Sequence, residues 1–333
     1  MISIALVGAG FIGNVHGKNL ALNPEVKFAG IYDCASNRAA ELAEKYGTKC
    51  FTDYQDILDD RSIDALVIGS STPTHADFLT RAARAGKAIF CEKPIDLSVD
   101  IAIKAVEACN ATNARVMMDF NRRYDAGYAE LKRAVSNGEI GEPQIISLVS
   151  RGPNLPDIEY LKVSGGQMRD QTVHFFDLAR WLLNKEPLEV AVMGSALVDP
   201  RVAEIGDVDT SIAALKFDGG AICHIDSARE IAYGYDESIE ISGTKGKIAA
   251  NPVRIRNVSR YLPGIVCSDG LHEGWFERME PTYQQSLAAF VSAMNADDFS
   301  SVPTLADGIA AQKIAEAATR ALNNKTIEKI ETL

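Results

Sequence analysis

Mostly uncharged apolar runs of strand length recur through the first 120 residues: Ile2–Val7, Val26–Tyr32, Asp64–Gly69, Ala88–Cys91 and Arg115–Asp119. Between them apolar positions return at helical spacing. These stretches are Phe11–Leu22, Asn37–Tyr46 (stopped by Gly47), the segment from Ser70 through Ala85 (closed by Gly86) and Val99–Cys109. Continuous apolar strands are buried on both faces, and their alternation with helices predicts a doubly wound parallel sheet. In such a sheet ligands lie beyond the carboxyl ends of the strands. Those ends are Gly8, Asp33, Ser70, Glu92-Lys93 and Phe120-Asn121, and their loops are expected to line one crevice.

From about residue 122 the texture changes. A helix over Tyr128–Ser136 ends at Asn137-Gly138, and strand-like runs follow at 144–150, 190–197, 209–217, 221–227, 238–241 and 247–250. Asp218-Gly219-Gly220 and Gly243-Thr244-Lys245-Gly246 read as hairpin turns between adjacent runs, which predicts a large, mostly antiparallel sheet. One helix, Thr172–Leu183, interrupts the strands, and two more, about 283–295 and 305–323, end the chain. The segment 251–280 carries no clear pattern. The expected fold class is therefore α/β: a doubly wound domain over residues 1–121, then an α+β domain over 122–333. An uncovered face of that second sheet predicts a homo-oligomer, a dimer or tetramer.

Composition changes this picture little. Of 333 residues 47% are hydrophobic and 24% charged, enough for two cores. The net charge of −11 argues against nucleic acid or an anionic membrane as partner. No run approaches the length of a membrane span, and the first strand leaves no room for a signal peptide, so the cytoplasm is expected. The six cysteines and five histidines are scattered, with neither C-x-x-C nor H-E-x-x-H, so no metal is expected.

The chemistry begins where the first run meets Gly8-Ala9-Gly10-Phe11-Ile12-Gly13. A strand followed by G-x-G-x-x-G and a helix suits a dinucleotide. Gly8 makes the turn, Gly10 admits the pyrophosphate and Gly13 lets helix and strand pack. Asp33 lies twenty residues after Gly13, at the end of the next run, where a carboxylate binds ribose hydroxyls. Because it repels a 2′-phosphate, the expected cofactor is NAD, with Arg38 a solvated charge on the next helix. Gly8, Gly10, Phe11, Ile12, Gly13, Asp33, Ser71, Thr72, His75, Glu92, Lys93 and Asn121 are the expected cofactor-lining residues.

A nicotinamide enzyme also needs a proton acceptor and a group that steadies the reacting oxygen. Glu92-Lys93-Pro94 offers a lysine at the end of a buried strand, against the alternative of a lysine marking the exit into solvent. Asp170-Gln171-Thr172-Val173-His174 offers a carboxylate and an imidazole at i, i+4 spacing, against a helix cap with a packed histidine. A metal set of Asp170, His174 and Asp177 lacks clustered ligands. His16 and His224 read as packed within a helix and a sheet. His75, after Pro73 in the fourth loop, reads as near the nicotinamide half.

These motifs in this order resemble the glucose-fructose oxidoreductase/inositol dehydrogenase (Gfo/Idh/MocA) family. Several stretches are similar to its bacterial inositol 2-dehydrogenases: 119–125, 160–166, 206–210 and 233–236. The resemblance runs from residue 1 to about 250. It implies NAD-dependent oxidation of a secondary hydroxyl on a cyclic polyol, myo-inositol by preference, giving the 2-keto product. It further implies Lys93 on the reacting hydroxyl, His174 as general base, and Asp170 binding substrate and orienting that base. Arg123, Asn154 and Tyr235 would bind substrate hydroxyls. A sugar (pyranose) dehydrogenase or reductase, or an NAD-binding regulator without turnover, are the rival readings. Two stretches depart from the family pattern: Ser150-Arg151-Gly152-Pro153 lacks a carboxylate, and Gly234-Tyr235-Asp236-Glu237-Ser238 differs in its last two residues.

Overall fold

The apolar runs of the first 120 residues pair as a six-stranded parallel sheet. Its strands are β1 (Ile2–Val7), β2 (Val26–Tyr32), β3 (Lys49–Phe51), β4 (Ala65–Ile68), β5 (Ala88–Glu92) and β6 (Val116–Asp119), in the order β3-β2-β1-β4-β5-β6. Helices α1 (Phe11–Leu22), α2 (Ser36–Tyr46), α3 (Tyr54–Asp59), α4 (His75–Arg84) and α5 (Val99–Ala111) make the crossovers. The computed structural model describes residues 1–331. Every residue of β4, β5 and β6 is buried, the reason these strands read as unbroken apolar runs. Strand order reverses between β1 and β4, the point at which such sheets open a ligand crevice. The link after Gly47 holds β3 and α3, too short and too polar to stand out by pattern alone.

The second half builds α6 (Ala126–Ser136), β7 (Pro143–Arg151), α7 (Ile158–Leu161), α8 (Gln167–Asp170), α9 (Val173–Leu183), β8 (Pro187–Ser195) and α10 (Pro200–Glu204). It continues with β9 (Thr210–Phe217), β10 (Ile222–Ala228), β11 (Asp236–Gly243), β12 (Gly246–Ala250), β13 (Ser259–Leu262) and β14 (Ile265–Ser268). Then come α11 (Trp275–Ala296), α12 (Leu305–Asn324) and β15 (Glu328–Lys329). Seven strands form one sheet in the order β12-β11-β7-β10-β9-β8-β15. The sheet is mostly antiparallel, but β7 and β10 pair parallel, so it is mixed at its centre rather than a simple meander. Residues 145, 212 and 222 face one side and 146, 213 and 223 the other. The second side is buried, while Ile145, Ile212 and Ile222 are each more than half exposed.

The chain divides into two compact units, Met1–Tyr124 with Pro281–Ala310 and Asp125–Glu280 with the chain from Ala311 onward. A boundary at 121/122 leaves residues 281–310 in the second domain, whereas the structure groups them with the first. Leu287, Phe290, Val291 and Val302 join the core formed by Ile4, Leu6, Phe90 and Met117. Helix α11 also starts at Trp275 rather than near 283, because Pro281 lies inside it. A proline reads as a helix breaker, and here the helix passes through it. The patternless segment 251–280 holds the hairpin β13–β14, whose eight strand residues are all exposed.

Candidate functional site

In the first unit the predicted cofactor residues lie along the carboxyl edge of the parallel sheet. Gly8 takes φ +107, and a Cβ there would stand 2.5 Å from the Ser70 nitrogen; one on Gly13 would stand 2.1 Å from the Gly8 oxygen. Neither position admits a side chain. A Cβ on Gly10 would meet nothing within 4 Å, and α1 starts there with no side-chain cap. Open space before an uncapped helix start fits a pyrophosphate. Asp33 Oδ2 accepts the Ala9 N–H at 2.6 Å and Oδ1 the Ala35 N–H at 2.7 Å. This pins the carboxylate to the glycine loop, and Oδ2, which accepts from Ala9 alone among these contacts, has a further lone pair for a ribose hydroxyl. The residues thus fit a dinucleotide. Ser71 is exposed and Thr72 half-buried, in a short turn before α4. Asn121 is buried and donates to Thr282 Oγ1 at 2.8 Å.

Behind this edge lies a polar cluster that sequence reasoning missed. His16, on α1, places Nε2 2.9 Å from Glu92 Oε1 and 3.7 Å from Asp119 Oδ2. Glu92 and Asp119 end neighbouring strands and are register partners, so their carboxyls are side by side. Burial alone raises the Glu92 carboxyl. The hydrogen bond and charge of His16, then Lys93, outweigh it and hold Glu92 below the usual carboxylate range. Asp119 is pushed well above that range, by burial first and the charge of Glu92 second. Two adjacent buried carboxyls with one shared proton account for this pattern. Their nearest ligand atoms and that of His16 lie within 4.8 Å of one another, the closest approach to a metal set among the described residues. A shared proton satisfies the same geometry. Glu92, expected to line the cofactor, thus turns its carboxyl inward. His16, read as a packed helix residue, is part of this cluster.

In the second unit, Asp170 is the last residue of α8 and His174 the second of α9, so the expected single helix from Thr172 is preceded by a separate turn. Gln171 ties that junction to the strand ends, its Nε2 donating to the carbonyls of Ser150 (2.9 Å) and Ala228 (3.0 Å). Gln167 also ties it down, donating from Nε2 to the Asp209 carbonyl and accepting at Oε1 from the Ser211 hydroxyl. Asp170 accepts from Tyr160 Oη at 2.9 Å and from Arg229 Nη1 at 2.9 Å. Arg229 is 3% exposed and also reaches Asp207 Oδ2 at 3.3 Å. Burial, then the Asp170 charge, raises the Tyr160 phenol above its usual range. His174 is 7% exposed.

Arg229, Asp207 and Tyr160 were not singled out from the sequence as site residues. The last two lie within quoted stretches of resemblance, but nothing in the pattern points Arg229 at Asp170.

The other candidates lie in varied surroundings. Arg123 forms a 2.9 Å ion pair with Asp307 and lies against Phe120. Tyr235 is 6% exposed and its hydroxyl donates to the buried Glu237, which also accepts from Tyr128. Asn154 is exposed, just after the bridge between Pro153 and Glu230. His75 turns both ring nitrogens to backbone carbonyls. His224 lies on the outward side of β10 and is exposed rather than packed within the sheet. The missing carboxylate at Gly152 has a steric reason, since a Cβ there would stand 2.7 Å from the Arg229 carbonyl oxygen.

Residues 2–120 match the model of an oxidoreductase family with an NAD-binding Rossmann fold, and residues 128–249 match the GFO/IDH/MocA C-terminal domain. An uncharacterized oxidoreductase of Bacillus subtilis is 38% identical, covering 96% of this chain and 94% of that protein. An inositol 2-dehydrogenase of Rhizobium meliloti is 36% identical, covering 97% and 98%. Among solved structures, a putative myo-inositol dehydrogenase from Sinorhizobium meliloti superposes with a TM-score of 0.94 at 35% identity, over 99% of this chain and all of that one. A scyllo-inositol dehydrogenase from Lactobacillus casei, solved with bound NAD(H) and scyllo-inositol, superposes with a TM-score of 0.92 at 25% identity, covering 99% of each chain.

Proposed function

The chain belongs to the GFO/IDH/MocA family of NAD-binding oxidoreductases, and on that footing we propose how its residues oxidise an inositol. It is an NAD-dependent dehydrogenase acting on a secondary hydroxyl of the ring. In our reading myo-inositol is the preferred substrate and the 2-keto inositol the product. The observation that carries the reading is the carboxyl edge of the parallel sheet. There an uncapped helix start, the pinned carboxylate of Asp33 and Lys93 at the end of β5 follow one another. NAD, when bound, supplies the acceptor for the hydride.

The chain's own residues do the rest. Lys93 steadies the reacting oxygen with its ammonium, easing loss of the hydroxyl proton. The imidazole of His174 takes that proton. Asp170, held by Arg229 and Tyr160, binds a neighbouring hydroxyl and orients the base. A site built from hydrogen-bonding groups rejects analogues lacking a hydroxyl, which suits a polyol. Asn154 stays in this reading as an outer hydroxyl contact. Arg123, steadied by Asp307, and Tyr235, steadied by Glu237, bind further hydroxyls.

The test is reduction of NAD, followed by nicotinamide absorbance, across a panel of inositols and aldoses. Inositol turnover with Lys93→Ala and His174→Ala each lowering kcat about 100-fold or more is the expected result. Faster turnover of an aldose would make the enzyme a sugar dehydrogenase. NAD binding with no turnover of any substrate would make it a regulator.

The enzyme acts as a homo-oligomer, which we take to be a tetramer, in the cytoplasm where its cofactor is abundant. Support for assembly comes from the open side of the seven-stranded sheet. There Met193 beside Ile212 and Ile145 beside Ile222 make two apolar pairs, 52–82% exposed, of the kind that a second copy covers. Light scattering checks the mass, and Ile212→Glu should shift it downward.

A further inference from the structure

Both chain neighbours of Lys93 are gripped by a buried histidine. His16, with no exposed surface, places Nε2 2.9 Å from Glu92 Oε1, and the other oxygen of Glu92 accepts the Lys93 backbone N–H at 3.3 Å. The His16 ring cannot swing aside, because it packs edge-on against Phe90 and Tyr283, with centroids 5.3 and 5.8 Å away. His75, 2% exposed and the first residue of α4, places Nδ1 2.8 Å from the Pro94 carbonyl oxygen and Nε2 3.0 Å from that of Ser70. With Nδ1 protonated, the ring donates to Pro94. With both nitrogens protonated, it also ties the Ser70 loop to the same point.

We propose that His16 and His75 are positioning residues, a two-point clamp that fixes the backbone of Lys93 so that its ammonium is delivered to one place. A lysine head sits on a flexible four-carbon stem, so its placement depends on how firmly the root is held. An error of about 1 Å at a reacting centre can lower the rate about 100-fold. The clamp brings together two helices with other duties. α1 starts at the glycine loop and α4 follows the Ser70 loop, so the same elements that shape the cofactor edge also hold Lys93. Histidine suits this task because the two sides demand different donors, an Nε2–H toward Glu92 and an Nδ1–H toward Pro94. The proposal rests on the role assigned to Lys93 above.

Hydrogen–deuterium exchange of the cofactor-free protein tests the clamp without turnover. In His16→Leu and His75→Leu the amides of Lys93, Ile95 and Asp96 should exchange about 10-fold faster or more, while β4 and α5 keep their protection. Kinetically, kcat should fall about 10-fold with KM for NAD within about 2-fold of wild type. Conservative variants separate clamping from mere packing. An Asn amide at position 75 stands where Nδ1 stood and a Gln amide where Nε2 stood, so His75→Asn should recover most of the lost turnover and His75→Gln little. By the same logic His16→Gln should recover more than His16→Asn. Equal activity of the Asn and Gln variants at each position, or unchanged exchange around Lys93, would overturn the clamp. Near-native turnover by Lys93→Ala would instead remove the role of Lys93 on which the clamp depends, and that failure is distinct because the exchange difference would remain.

Discussion

Each unit of the molecule holds a pair of neighbouring acids, buried in the first and half-buried in the second, and the two pairs are kept in opposite ways. In the first unit Glu92 and Asp119 lie side by side at strand ends, with His16 against them, and the tension is relieved by a proton held on Asp119. In the second, Asp170 and Asp207 are bridged by the guanidinium of Arg229, whose side chain is 2% exposed. A proton can leave as pH changes, whereas a guanidinium cannot. The first pair is therefore sensitive to pH and the second is a fixed brace. The role proposed for Asp170 suits the brace, because an acid that must keep one geometry is better held by a bridge than by a titrating neighbour.

The largest way to break the comparison is to remove the brace. Arg229→Met leaves two poorly exposed carboxylates without a countercharge, and breaking a buried ion pair from one side costs about 3–5 kcal/mol. The midpoint of urea unfolding should fall accordingly, and Arg229→Lys, which keeps a charge but not the fork, should fall between. A midpoint for Arg229→Met close to wild type would mean that the bridge holds nothing. The next effect is smaller and concerns an acid held in a third way, by two backbone N–H groups and the Cys34 thiol rather than by another charge. Replacing Asp33 by Ser keeps a short polar side chain but removes the charge facing a ribose. KM for NAD should rise about 10-fold while NADP becomes a usable cofactor. Unchanged discrimination between the two would take Asp33 out of cofactor choice.

The pH contrast itself can be sharpened with Asp119→Asn. A carboxyl whose folded pKa lies above its unfolded value contributes stability that is fully present below the unfolded pKa. That contribution is lost as pH rises toward and through the folded one. Urea unfolding of wild type should therefore weaken as pH climbs above about 4, whereas Asp119→Asn, which keeps the neutral form, should show a flatter curve. Removing the Arg229 bridge should give no comparable flattening. Parallel curves for wild type and Asp119→Asn would mean that the shared proton is absent.

The parallel sheet was legible because burial on both faces writes it as uncharged runs, and the glycine loop with Asp33 because local spacing encodes both. Other features arise from pairing between distant segments. Asp119 reads as the last residue of a strand, and only its register with Glu92 brings the two carboxyls together. Arg229 follows β10 by one residue and meets Asp170 across 59 positions of sequence. His16 has the spacing of a helix interior, and nothing local marks it as a partner of an acid 76 residues away. For Arg123 and Tyr235 motif position suggests readers of hydroxyls but does not show the acids that hold them, Asp307 and Glu237.

The smallest expected effect compares the units by their thiols. Cys34 in the first unit and Cys267 in the second are exposed, whereas Cys91, Cys109 and Cys223 are not. Burial pushes Cys109 up to about 11, and burial followed by the charge of Glu92 pushes Cys91 well above its usual value. A thiol reagent near neutral pH needs thiolate, so those buried groups should stay silent while Cys34 and Cys267 react first. Only one of the two fast thiols lies beside the cofactor edge, because Cys34 directly follows Asp33 and its Sγ is 3.6 Å from Oδ1. Saturating NADH should slow labelling of Cys34 about 5-fold or more by restricting access, and leave Cys267, on the exposed hairpin strand β14, unchanged. Mass spectrometry of the labelled peptides gives both rates in one experiment. Equal protection of both thiols would point to a general tightening of the fold, and protection of neither would move the adenosine ribose away from Asp33.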